Sequence, residues 1–215
     1  MDHQMISLAD QVFEELEREI LTEVYAPGEY LTEAKLSEDM KVSRTPIREA
    51  IGRLEEEHLL EITAKGTRVV GVSMQEILDI YDIRMKIEGM AARKAAENAS
   101  EEDLKDMKEA LDVQEYYTGK KDADGIKNMD SRFHQTLYRI CGSTPLRYTL
   151  EPLHRRVMKY RKVSISTPNR AEASLAEHRA IYEAIAAKNG DLAEELMVEH
   201  IRRAQENIRQ GKKVQ

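Results

Sequence analysis

The sequence contains one cysteine, no tryptophan and few aromatic residues, and these shortages exclude several classes of protein. A single cysteine, Cys141, cannot form a disulfide within the chain. We therefore expect a protein of the reducing cytoplasm rather than a secreted protein that disulfides stabilise. No apolar run approaches the ~20 residues that a membrane-spanning helix needs. The N-terminus has no apolar segment of the kind found in signal peptides, so neither export nor a membrane partner is expected.

Positive charge is also scarce, because the chain has 33 lysines and arginines but 40 aspartates and glutamates, which gives a net charge of −7. That balance argues against a surface that binds polyanions without discrimination. The segment from Lys41 to Arg53 is an exception, since it contains four basic residues and a single acidic residue, Glu49. Local charge sets the local field, so a small basic tip on an acidic body can still bind a polyanion at a specific site.

Helix-forming residues are abundant, and apolar residues recur at helical spacing through most of the chain. Helices are predicted for Ile6–Val24, for Thr32–Met40 and from Ser43 onwards. Two short strands, Glu61–Thr63 and Thr67–Val70, are predicted to form a hairpin around a basic tip.

A boundary follows near residue 72, where Ser73 and Glu76 form the pattern of a capping box. Six helices are then predicted, at about 73–99, 101–119, 122–141, 145–162, 171–189 and 191–210. The expected fold class is mainly α, with a winged helix-turn-helix in residues 1–72 and an antiparallel six-helix bundle in residues 73–215.

The most specific pattern lies on the helix that begins near Ser43. Ile47, Ala50, Ile51 and Leu54 share one side of this helix, while Arg44, Thr45, Arg48 and Gly52 share another side roughly 120° away. The apolar side can dock on the domain core and leave the arginine-bearing side free. This sidedness is typical of a recognition helix that enters the DNA major groove.

The run Val-Ser-Arg-Thr-Pro-Ile-Arg-Glu-Ala from Val42 to Ala50 resembles the winged helix-turn-helix of the GntR family of bacterial transcription regulators. Pro27-Gly28-Glu29 and Leu31-Thr32-Glu33 extend the resemblance. Residues 73–215 are similar to the sensing (FCD) domain of the FadR subfamily, in its six-helix, VanR-like form.

This resemblance implies DNA contacts by seven residues of the helix and the wing: Ser43, Arg44, Thr45, Arg48, Lys65, Gly66 and Thr67. It also implies a homodimer on a pseudo-palindromic operator in double-stranded DNA. The chain departs from the family pattern at Ala34, where some relatives have an arginine, and at Lys41 and His58, where glycine is commoner.

Four polar residues are predicted to face the core of the bundle. Asp130 and His134 are one helical turn apart beside an apolar stripe, and His178 and His200 lie within the stripes of two other helices. Carboxylate and imidazole groups suit Zn²⁺, Ni²⁺ or Mn²⁺, and zinc is the first expectation. The pattern also resembles the metal-binding members of the subfamily. The alternative is that these histidines are separately satisfied core or surface residues.

A second group is predicted around Arg84, which falls inside an apolar stripe one turn before Glu88. Two interpretations remain open, an ion pair between these residues and an arginine fork that binds an effector carboxylate. The family's sensing domains often bind small organic acids, and we assign the lining of such a site to Arg84, Glu88, Tyr81, Tyr138 and Asn207. His154 is expected to be a solvated surface residue because it lies in a basic stretch.

The expected function is a DNA-binding transcription regulator, with repressor as the expected type. Its operator affinity responds to a small carboxylate metabolite bound beside a divalent metal. One alternative is a regulator that responds to the metal alone. Another is a metal hydrolase with Glu88 as general base, but no motif such as His-Glu-x2-His supports it, and we expect a protein that is not an enzyme.

Overall fold

The computed structural model describes residues 7–165 and 169–211. The chain divides into two compact units, Met1–Ser73 and Met74–Gln215, one residue later than the predicted boundary. Ile6, the predicted first residue of the first helix, lies outside the described residues. Within those residues every helix is too short or too polar to span a membrane.

The first unit contains three helices, α1 (Leu8–Leu21), α2 (Glu33–Asp39) and α3 (Arg44–Glu56). The Ser7 hydroxyl accepts a hydrogen bond from the Asp10 amide and caps α1, and Thr32 caps α2 in the same way. The apolar faces of the helices meet in one core, which consists of Val12, Phe13, Leu16, Ile20, Leu31, Leu36, Ile47, Ala50, Ile51, Leu54, Leu59, Leu60 and Val69.

Three strands complete this unit, β1 (Tyr30–Leu31), β2 (Leu60–Thr63) and β3 (Gly66–Val69). They form an antiparallel sheet in the order β1-β3-β2, so the predicted hairpin of β2 and β3 is confirmed. Strand β1 was not predicted, because two residues are too few to show a period-two pattern. Its pairing with β3 fixes the base of the wing.

Three non-glycine residues of the first unit, Glu23, Lys41 and His58, adopt the left-handed backbone conformation that normally favours glycine. Lys41, in the turn between α2 and α3, has a φ of 54°, and His58, before β2, has a φ of 58°. These are the positions where the family pattern more often has glycine. A residue with a Cβ therefore occupies a strained backbone conformation at both positions.

Over its described residues, 74–165 and 169–211, the second unit is a bundle of six helices, and their predicted ends differ from the observed ends by at most three residues. The helices are α4 (Met74–Asn98), α5 (Glu101–Lys120), α6 (Ala123–Ile140), α7 (Thr144–Ile165), α8 (Arg170–Ala186) and α9 (Gly190–Gly211). Ser100 and Asp103 form a full capping box at the start of α5.

Helix α4 packs against α6, α7, α8 and α9 and so lines the centre of the bundle. Gly89 allows α4 to approach α9 closely, because a Cβ at this position would lie 2.8 Å from Val198 Cγ2. This close packing places the buried polar residues of α4, α6, α7, α8 and α9 in a common core.

Candidate functional site

Helix α3 has the sidedness that its sequence predicts. Ile47 and Leu54 are fully buried, whereas Arg44, Thr45 and Arg48 are exposed. Ser43 occupies the N-cap position, but its side chain makes no capping hydrogen bond. The exposed side of the helix therefore presents two guanidinium groups and two hydroxyl groups, which suit phosphate and base-edge contacts.

The Arg48 guanidinium is held by a carboxylate that the sequence did not predict as a partner. Its Nε and Nη2 donate to the two oxygens of Glu33 on α2, at 3.0 and 2.8 Å. The Arg48 side chain is still 71% exposed. Arg44 forms no hydrogen bond or ion pair with a described residue, so the two arginines differ in how firmly they are oriented.

The wing tip contains the other predicted DNA contacts. Lys65 is exposed in the two-residue turn between β2 and β3, and Gly66 has a φ of 124°, which this turn requires. The Thr63 hydroxyl braces the turn, because it donates to the Gly66 carbonyl and accepts from the Lys65 amide. Thr67, the last predicted contact, is half-buried on β3.

In the second unit, three histidines from three helices converge in the core. His134 on α6, His178 on α8 and His200 on α9 are each fully buried, which confirms their predicted inward orientation. One ring nitrogen of each lies within 4.8 Å of the others, and His178 Nε2 is 3.3 Å from His200 Nε2. The three imidazoles thus form a group that could hold one metal ion.

Each of these imidazoles has an acceptor beside its Nδ1. Glu177 Oε2 lies 2.7 Å from His200 Nδ1, and Gln114 Oε1 lies 3.1 Å from His178 Nδ1. Glu88 Oε2 lies 3.3 Å from His134 Nδ1, although without hydrogen-bond alignment. An acceptor at Nδ1 favours the tautomer whose Nε2 carries the lone pair, which is the arrangement found around metal-bound histidines.

Burial lowers the pKa of His134, His178 and His200 well below the ordinary histidine range. The Arg161 guanidinium lowers the pKa of His134 and His200 further, and the neighbouring His200 does the same for His178. These imidazoles are therefore neutral at pH 7, and neutral imidazole is the form that binds metal ions.

Asp130, the fourth predicted ligand, is fully buried near the histidines, with Oδ1 3.5 Å from His178 Nε2. Its carboxylate is paired with the guanidinium of Arg161 on α7. Arg161 Nη2 also lies 3.3 Å from His134 Nε2 and 3.3 Å from His200 Nε2. The compact ligand group therefore consists of the three histidines, and Asp130 approaches it through His178 while its carboxylate is paired with Arg161.

A second buried cluster surrounds Arg84 and Glu88. Arg84 Nε donates to Glu88 Oε1 at 2.5 Å, and the Tyr138 hydroxyl donates to the same oxygen at 2.6 Å. Burial alone would raise the pKa of Glu88, but Arg84 and Tyr138 together hold it below its ordinary value. The ion pair between Arg84 and Glu88, which is one of the two interpretations of this group, is present.

Unpartnered donors remain in this cluster. Arg84 Nη1 and the Tyr81 hydroxyl are buried and have no hydrogen-bond partner among the described residues. The Arg84 guanidinium carbon lies 5.1 Å from the centre of the Tyr81 ring. Asn207, assigned to the same lining, instead accepts a hydrogen bond from the Ser164 hydroxyl at 2.7 Å.

The expectation of a surface position for His154 is wrong, because this residue is 1% exposed. Its Nδ1 lies 3.5 Å from Arg84 Nη2, and it forms a second possible metal-binding group with Glu88 and His134. His154 and Arg161 share one face of α7 with Leu150, Val157 and Ser164, all of them buried. That spacing was present in the sequence, but the flanking charges obscured it.

Comparison with known families matches both units. The model described as "Bacterial regulatory proteins, gntR family" matches residues 8–69, and the FCD domain model matches residues 79–203.

Curated relatives are similar over most of the chain. The "HTH-type transcriptional repressor RspR" of Escherichia coli (strain K12) is 31% identical over 201 residues, which cover 93% of this chain and 88% of that protein. The "Gluconate operon transcriptional repressor" of Bacillus licheniformis is 32% identical over 125 residues, which cover 58% of this chain and 51% of that protein.

A solved structure of "E. coli McbR/YncC" is similar to this chain. It superposes with a TM-score of 0.81 at 26% sequence identity and covers 96% of this chain and 99% of that one.

Proposed function

Because this chain belongs to the gntR family of bacterial regulatory proteins and carries an FCD domain, we propose that it is a metabolite-responsive transcriptional repressor. Its operator affinity is set by a divalent metal ion and a small carboxylate effector, both bound in the six-helix unit. The repressor assignment follows the relatives that carry this word in their names. Such a protein acts in the cytoplasm, where its DNA is.

The DNA-binding role is carried by α3, whose exposed side presents Arg44, Thr45 and Arg48. These residues read base edges and contact phosphates in the major groove, together with Ser43 at the helix start. Lys65, Gly66 and Thr67 of the wing contact the backbone or the minor groove. One such domain covers only a half-site, so we infer a homodimer on a pseudo-palindromic operator.

The metal site is supported by one observation above all, the convergence of three neutral imidazoles with an acceptor beside each Nδ1. His134, His178 and His200 hold the ion, and Asp130 is the fourth ligand. This donor set fits Zn²⁺ best, and Ni²⁺ or Mn²⁺ could also bind. When bound, the ion would supply a positive charge that attracts an effector carboxylate.

The effector site is supported by the unpartnered donors next to the histidines. A buried donor without a partner is costly, and an anionic ligand that accepts from it removes that cost. Arg84 Nη1 and the Tyr81 hydroxyl bind the carboxylate, while Glu88 holds the Arg84 guanidinium in place and itself accepts a hydrogen bond from Tyr138. Asn207 is assigned to the wall of the site near α7.

The effector alters operator affinity by binding one arrangement of the dimer more tightly than the other. This linkage needs two distinct sites and a difference in effector affinity between the DNA-bound and free states. The six-helix unit provides the effector site, and α3 provides the DNA site.

The test is a titration of operator binding with a panel of small mono- and dicarboxylates at a fixed zinc concentration, monitored by fluorescence anisotropy. We expect one acid to change the operator Kd, and we expect Tyr81→Phe to weaken that response while zinc content stays unchanged. Operator affinity that follows free zinc and ignores every acid would instead support the regulator that responds to metal alone. A hydrolase gains no support from relatives named as transcription regulators.

A further inference from the structure

Arg161 lies at the centre of the proposed metal ligands. A single guanidinium nitrogen, Nη2, donates to Asp130 Oδ1 and lies 3.3 Å from the Nε2 atoms of both His134 and His200. Three of the four proposed ligands therefore contact one nitrogen atom of the protein itself. The fourth, His178 Nε2, is 3.5 Å from the same Asp130 oxygen.

A metal ion and this guanidinium cannot use these atoms at the same time. A zinc ion sits about 2.0–2.1 Å from each nitrogen ligand and takes up the lone pair on Nε2. The Arg161 N–H groups point at the same lone pairs and at the same carboxylate. Two positive charges held at one set of acceptors would also repel each other strongly in a buried site.

Arg161 is charged where it lies. An arginine guanidinium stays protonated in proteins, and the Asp130 carboxylate is paired with it directly. In return, the guanidinium supplies the positive charge that a fully buried carboxylate needs. The charge of the buried Asp130 carboxylate is thus balanced by a cation of the protein itself.

We propose that Arg161 is an internal competitor that sets the metal affinity of the bundle, because the ion must displace its guanidinium from Asp130, His134 and His200. This inference rests on the metal site of the proposed function. The free energy of metal binding is then the free energy of the ion's contacts with the four ligands, less the free energy of the Arg161 contacts that the ion breaks. Removal of the competitor makes binding tighter, even though the substitution alters no ligand.

The experiment compares zinc affinity among the full-length wild type, Arg161→Met and Arg139→Met, by competition with a chromophoric chelator. Methionine fills much of the same space without charge. Arg139→Met is the matched control, because Arg139 lies on α6 and pairs with Asp103 and Asp106 at the exposed surface. We expect Arg161→Met to bind zinc at least about tenfold more tightly than the wild type, and Arg139→Met to bind as the wild type does.

Thermal unfolding provides a second readout. Metal-free Arg161→Met leaves Asp130 buried without its cation, so we expect a lower Tm than that of the metal-free wild type. Zinc should then raise the Tm of Arg161→Met by more than it raises that of the wild type.

Equal or weaker zinc binding by Arg161→Met, alongside measurable binding by the wild type, would overturn the inference and leave the metal site itself in place. Absence of zinc binding by the wild type and both variants would overturn the inference and the metal site together. If metal-free Arg161→Met does not fold, a structure of the zinc-loaded wild type decides the question. We expect Arg161 Nη2 beyond hydrogen-bond distance of Asp130 in that structure, and retention of the present contacts would contradict the inference.

Discussion

Glu33 at the start of α2 holds Arg48 of α3 through both of its carboxylate oxygens. The pair uses Nε and one N–H of Nη2, so the opposite edge of the guanidinium, formed by Nη1 and the second N–H of Nη2, remains available. That edge has the geometry to donate two hydrogen bonds to O6 and N7 of a guanine. Glu33 thus holds Arg48 in one orientation without removing its reading edge.

The first prediction concerns Arg48 itself. We expect Arg48→Ala to lose about 1–3 kcal/mol of specific operator binding and to discriminate less between the operator and a site altered at the base that Arg48 reads. Competition anisotropy with the operator and single-base variants measures both effects. A uniform loss across all sequences would show that Arg48 contacts phosphate and not a base.

The second prediction concerns Glu33, the carboxylate that orients Arg48. Glu33→Gln removes the charged acceptor that orients Arg48, so we expect weaker discrimination between operator and random DNA. We also expect tighter non-specific binding, because a negative charge leaves the DNA-facing surface. Affinities for both DNAs over a salt series separate these effects.

Glu49→Gln is the matched control, because Glu49 is an exposed carboxylate on α3 that pairs with no described residue. It removes the same charge and leaves the contact between Glu33 and Arg48 intact. The same loss of discrimination in both variants would contradict an orienting role for Glu33.

The third prediction tests the histidine group. We expect His134→Ala to lose bound zinc and to lose the rise in Tm that zinc gives the wild type, because one of three converging ligands is removed. Elemental analysis of the purified protein and thermal unfolding with and without zinc provide the readouts. His58→Ala, which removes an exposed imidazole from the first unit, should keep both properties. An unchanged zinc content in His134→Ala would remove this residue from the ligand set.

The fourth prediction concerns the strained backbone at His58, whose φ of 58° favours glycine. We expect His58→Gly to raise the free energy of unfolding by about 1 kcal/mol, because glycine adopts this conformation without a Cβ clash. Chemical denaturation of the full chain measures the change. His58→Ala keeps the Cβ and should give no gain, so an equal gain in both variants would show that the imidazole, and not the backbone, is the source.

Local periodicity was sufficient to predict the helices, the wing hairpin and the inward orientation of the histidines. Ile47 and Leu54 repeat at helical spacing and leave Arg48 on the other side, whatever the rest of the chain does. In the same way, Asp130 and His134 are neighbours on α6 because they are four residues apart. Such relations lie within one helix or one hairpin, so the spacing of the residues along the sequence is enough to predict them.

Contacts between elements were harder to predict. The pairing of Glu33 with Arg48 depends on how α2 crosses α3, and the place of Arg161 among the histidines depends on the rotation of α7 in the bundle. The basic residues around His154 suggested solvent, yet the spacing of Leu150, His154, Val157 and Arg161 marks a buried face. The spacing predicted the burial of His154 better than the flanking charges did, because a guanidinium or an imidazole can be buried when it has a suitable partner.

The central claim is tested most directly by the affinity of the zinc-loaded full chain for the DNA upstream of its own gene, measured by anisotropy against a shuffled sequence of equal length. We expect tight, sequence-specific binding by the wild type, and loss of that specificity when Arg44 and Arg48 are both replaced by alanine. Equal affinity for the upstream and shuffled DNA, with zinc present and after its removal by a chelator, would contradict the account.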